Sequence, residues 1–167
     1  MTKVAMALKE LYDAEEELAD RYLEVAGQHA AEHDLWYHCK RCADQCHAHA
    51  AAIRPFAGRH DGRLPAPDGD DGGEAVTVAV RRKLTELVGR RPESGLLLLR
   101  SLRQLYLQAQ DVSFHWLIAR QLALATRDRE LLVLVDTLHR ETHVQIEWLE
   151  AHVKQASPQA LVVGAAH

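Results

Sequence analysis

The chain has 167 residues, 47% of them hydrophobic and only 5% aromatic, with a formal net charge of −4 and a pI near 6.2. That length suits one domain with a core of its own, and an aromatic-poor composition rich in Ala and Leu favours an all-α protein. The acidic balance argues against nucleic acid as the main partner. No apolar run reaches membrane-spanning length and no signal-type segment follows Met1, so a cytoplasmic protein with no membrane partner is expected.

Helix periodicity begins at once. Val4, Leu8, Leu11, Glu15, Leu18, Tyr22 and Val25 recur at spacings of three and four and predict a first helix over 3–29. Glu15 carries the charge on that stripe. A carboxylate at a core position costs several kcal/mol unless it is paired, protonated or bound to a metal. Asp34 then suits the N-cap of a second helix over 35–56. The connection is short enough to make the two helices antiparallel neighbours. Cys39, Cys42, Cys46, His49 and Ile53 form one stripe of the second helix. Counting outward from the turn puts Glu15 level with His49, either as a hydrogen-bonded pair or as half of a metal site. Three cysteines on one helix fit reduced thiols, as small buried packing or as a soft-metal site with His38 or His49.

Residues 57–92 are rich in Gly, Pro and Asp and read as a long crossover, with a short helix over 75–89. The basic residues Arg81, Arg82, Lys83, Arg90, Arg91, Arg100 and Arg103 read as a solvated face and loop. A third helix is predicted over 93–126. A fourth, capped by Asp128, is predicted over 129–156, with Ser157-Pro158 stopping it and 157–167 a flexible tail. The third helix carries Gln104, Gln108, Asp111, His115, Ile118 and Leu122 on one stripe, and the fourth carries Leu132, Asp136, His139, His143 and Ile146. If these stripes face each other, Asp111 lies opposite His143. Carboxylates beside imidazoles suit iron or manganese, ahead of zinc or copper.

Two antiparallel hairpins joined by one long crossover, over residues 1–156, resemble the ferritin-like superfamily of di-iron and di-manganese four-helix bundles. In that superfamily two helices each give a Glu and two each give a Glu-x-x-His pair. The matching residues here are Glu15, Asp44-x-x-His47, Asp111 and Asp136-x-x-His139, with Asp in place of Glu three times. Leu8–Ala26 and Glu141–Leu161 are also similar to small bacterial ferritin-like proteins of no assigned activity. The resemblance implies one or two transition-metal ions in the bundle. Glu15, Asp44, His47, His49, Asp111, His139 and His143 are the candidate ligands, and the chemistry for a redox-active ion would be oxidation of Fe(II) by O₂ or peroxide. The competing expectation is a metal-free helical interaction module, monomeric or a homodimer, whose buried polar pairs set register. No phosphate-binding loop, serine-nucleophile motif or paired Cys-x-x-Cys clamp identifies a small-molecule substrate.

Overall fold

The computed structural model describes residues 1–65 and 94–162. Four α-helices and no strand occur among them: α1 (Lys3–Gln28), α2 (His33–Gly58), α3 (Ser94–Thr126) and α4 (Arg129–Leu161). No described helix is long and apolar enough to cross a membrane. The expected short helix over 75–89 and the basic residues Arg81, Arg82, Lys83, Arg90 and Arg91 lie outside the described residues, as do 163–167.

Local signals explain the helix ends. The Thr2 hydroxyl accepts the Ala5 N–H at 3.2 Å and donates to the His60 carbonyl at 3.0 Å, so the start of α1 is tied to the end of α2. Asp128 caps α4 as expected, accepting the Leu131 N–H at 3.0 Å. Arg127, at φ 57°, closes α3, with Arg127 N–H bonded to Leu124 O and Asp128 N–H to Ala123 O. This is the left-handed helix stop that satisfies the last carbonyls.

Two expectations about helix ends are corrected. Asp34 is not the cap of α2: the helix starts at His33, two residues before the expected Leu35, and Asp34 sits in its first turn, where a carboxylate still favours the helix dipole. Ser157-Pro158 does not stop α4, which continues to Leu161. Proline removes the hydrogen bond to the carbonyl four residues back. That residue is Lys154, exposed on the outside of the last turns, so water can replace the lost donor.

The backbones of α1 and α2 pack closely, as do those of α3 and α4, and α1 also packs on α3. Glu15 meets Trp116, Arg21 meets Gln108 and His29 meets Ser101, so α1 and α3 run antiparallel. Arg59 meets Glu130, His49 meets Glu141 and Gln45 meets Gln145, so α2 and α4 do as well. The helices therefore form a ring in the order α1, α2, α4, α3. Leu8, Leu18, Leu35, Ile53, Leu105, Val135 and Leu149 are completely or almost completely buried in its interior. The α2–α4 backbones approach each other least. Long polar side chains bridge that wider gap, and there the candidate site lies.

Candidate functional site

The α1 stripe turns inward as its periodicity requires, and Glu15 goes with it, fully buried. The α2 stripe does the same: Cys39, Cys42, Cys46, His49 and Ile53 are all buried. The two helices bring Glu15 and His49 to one level, with Glu15 Oε1 3.0 Å from His49 Nδ1. The other ring nitrogen of His49, Nε2, lies 2.9 Å from Oε2 of Glu141 on α4. From α3, the Trp116 indole N–H donates to Glu15 Oε1 at 2.7 Å. Its ring meets His49 edge to face, with centroids 5.9 Å apart.

The polar chain continues along the α2–α4 gap. Tyr22 donates to Gln145 Oε1 at 3.1 Å, Gln145 donates to Gln45 Oε1 at 2.7 Å, and Gln45 donates to Glu141 Oε2 at 2.8 Å. All four helices contribute. Every donor in the series is oriented, directly or through the amides, towards the carboxylates of Glu15 and Glu141. An ionised carboxylate only accepts, and an imidazole that donates from both nitrogens is an imidazolium. Burial alone would lower the His49 pKa. The hydrogen bonds and charges of Glu15 and then Glu141 outweigh it, and the net shift is upward from 6.5. The arrangement is a buried imidazole held between two carboxylates that favour its protonated form.

The thiols lie in the same interior. Burial, and then neighbouring Cys42, pushes Cys39 up to about 12, and burial pushes Cys42 up to about 11 against the opposing effects of the Tyr22 hydrogen bond and the Arg41 charge. Cys46 also rises, through burial and then the charge of Glu15. These are protonated packing thiols at neutral pH, with Cys42 Sγ 3.2 Å from His38 Nε2. Glu15 Oε2 is buried with no hydrogen-bond partner.

The remaining predicted residues lie elsewhere. Asp44 and His47 are exposed on the outside of α2, and His47 Nδ1 is 3.2 Å from Glu16. Asp111 is exposed on α3 and lies 3.7 Å from His115. His139 pairs with the Ser113 hydroxyl at 2.8 Å and stacks on exposed His143, with ring centroids 4.4 Å apart. Asp136 is bound by Arg120 at 2.8 Å. The structure thus joins Glu15 to His49 and leaves Asp44, His47, Asp111, His139 and His143 outside that cluster. Among the described residues, no three His, Cys, Asp or Glu side chains converge as a group able to hold a metal ion.

Both stripes expected on the second hairpin are out of phase with the structure. The core face of α3 is Leu102, Leu105, Ala109, Val112, Trp116, Ala119 and Ala123. That of α4 is Leu131, Val135, Thr142, Gln145, Ile146 and Leu149. Sequence reasoning consequently missed Trp116, Glu141, Gln145 and Gln45. The available signal was the apolar series Leu131, Val135, Leu138, Thr142, Leu149, which outweighs the polar one beside it.

No protein-family model, curated protein or solved structure matches the chain.

Proposed function

We propose that this chain is a metal-free helical interaction module, a four-helix bundle whose Glu15–His49–Glu141 triad sets the packing register rather than performing chemistry. The observation that carries this reading is the engagement of both His49 nitrogens by carboxylates, at 3.0 and 2.9 Å. A metal-bound histidine gives one nitrogen's lone pair to the ion. To bind an ion, His49 would have to release one of these carboxylate contacts together with its proton. A buried ionic group that is satisfied in only one arrangement selects that arrangement over shifted ones.

The ferritin-like resemblance extends, on this reading, to the bundle and its long crossover. The two-metal centre of that superfamily needs a Glu from each of two helices and Glu-x-x-His from each of the others. The inward pairs of that spacing here are Cys46-x-x-His49 and Thr142-x-x-Gln145, beside Glu15 and Trp116. One carboxylate and one imidazole among those positions do not fit a dinuclear iron or manganese centre.

Elemental analysis of untagged protein from cells replete in iron, manganese, zinc and copper tests the proposal, with Glu15→Gln alongside. The expected result is no stoichiometric metal and a melting temperature indifferent to chelator. One or two ions per chain, lost in Glu15→Gln, would overturn it and make Glu15 and His49 ligands.

A further inference from the structure

Helix α3 is apolar on two opposite faces and packs only one of them into the bundle. The inward face includes fully buried Trp116. On the outward face, Leu107, Phe114, Leu117 and Leu124 are 50%, 60%, 44% and 45% exposed. Exposed Gln110 and Gln121 complete that stripe. Positions 107, 110, 114, 117, 121 and 124 alternate spacings of three and four, the pattern of a seam between paired helices. A helix with apolar residues all round is normally covered all round.

The order of residues along the seam points to what covers it. Leu-Gln-Phe-Leu-Gln-Leu reads almost the same in reverse. A two-fold axis crossing α3 between residues 115 and 116 sets Leu107 against the partner's Leu124, Gln110 against the partner's Gln121 and Phe114 against the partner's Leu117. Such self-complementarity is what a two-fold interface requires, because each contact occurs twice with the roles exchanged.

We infer that the outward face of α3 is the interface of an antiparallel homodimer with its axis between residues 115 and 116. This rests on the association-module reading and names the partner as a second copy of the chain.

Sedimentation velocity of the full chain, combined with cysteine cross-linking, tests the interface and its register. The native thiols are 0–2% exposed and stay out of the cross-link. The wild type should sediment at twice the chain mass. Gln110→Cys/Gln121→Cys should oxidise to a covalent dimer. Gln110→Cys alone should not, because an antiparallel seam holds its two copies about 16 Å apart along the helices. Phe114→Glu, at an exposed position, should keep its circular dichroism and weaken association on the order of thirtyfold or more.

A wild type that stays monomeric at high micromolar concentration would overturn the interface. So would cross-linking of Gln110→Cys alone, the mark of a parallel pair. A Phe114→Glu variant with lower melting temperature and unchanged mass would overturn it too, pointing to cover by another part of the same chain. A dimer that contains stoichiometric metal would sink the metal-free reading and leave this interface standing. A metal-free monomer would do the reverse.

Discussion

His49 and His139 both sit on helices beside polar partners, yet their basicity moves in opposite directions. His49 is the more buried, and burial opposes its charge, but two carboxylates on opposite edges of the ring raise its pKa above 6.5. His139 is only partly buried, and its pKa is lowered from 6.5, first by burial and then by neighbouring His143. Ser113 gives it a neutral partner. Depth therefore does not decide which histidine carries charge; the neighbours do. The interior cluster is a buried histidine bracketed by two carboxylates, whereas the α3–α4 cluster is a set of separate pairs. Histidines and carboxylates at helical spacing look alike in sequence but are put to different uses.

The strongest way to break the contrast is to remove the carboxylate that only the interior cluster possesses. Glu15→Ala takes an acceptor from both His49 and Trp116 and leaves the imidazolium with Glu141, whose side chain is 42% exposed. Breaking a buried pair on one side leaves an uncompensated charge, at a cost of about 3–5 kcal/mol. Urea denaturation should show that loss with helicity retained at low denaturant. A loss below about 1 kcal/mol, the range of exposed ion pairs, would mean that the triad does not hold the bundle in register.

A pH series sharpens the comparison because the two kinds of histidine tilt stability in opposite senses. The folded-state pKa of His49 is raised, so its contribution is complete below 6.5 and is lost as pH rises through the folded value. His38 is lowered to about 4 by burial and then by Arg41, and His139 and His29 are lowered in the same sense. For these the unfolded chain binds protons more readily, so stability falls as pH drops below 6.5. Between pH 5 and 8.5 the urea midpoint should pass through a maximum. His49→Asn should flatten the alkaline limb and leave the acidic one. An alkaline limb unchanged in that variant would remove His49 as its source.

Much of the first hairpin was legible in the sequence because its signals agree. The stripe from Val4 to Val25 and the stripe from Cys39 to Ile53 each have one apolar phase, and a short turn fixes their relative level, so the Glu15–His49 contact follows by counting. The second hairpin was misphased because α3 has no single apolar phase. Leu107, Phe114 and Leu117 compete with Leu105, Val112 and Trp116, and the sequence does not say which set faces inward. The error on α3 carried over to α4, where Asp136, His139 and His143 were placed inward instead of Thr142 and Gln145. Glu141 was missed for a further reason. Its Cα lies at the edge of the core, and the breadth of the α2–α4 gap lets its side chain reach His49. Helix spacing of that kind is a property of assembled packing, invisible in any one helix.

The smallest expected effect tests whether the two clusters are independent. His143 is exposed and makes a ring stack with His139, four residues earlier on α4. Surface substitutions of this kind usually stay within about 0.5 kcal/mol, so His143→Ala should barely move the urea midpoint. It should nevertheless move the His139 titration upward in NMR, because it removes a neighbour whose charge disfavours protonation. Burial, the larger cause, remains, so the pKa should stay below 6.5. The His49 resonance should keep its titration, since the groups that set its charge are Glu15 and Glu141. A joint shift of His49 and His139 would mean that the interior triad and the outer groove are electrostatically one site. If His139 alone shifts, the His139–His143 pair is a local surface feature, and the charge that organises the core belongs to Glu15, His49 and Glu141, on α1, α2 and α4, with the indole of Trp116 on α3.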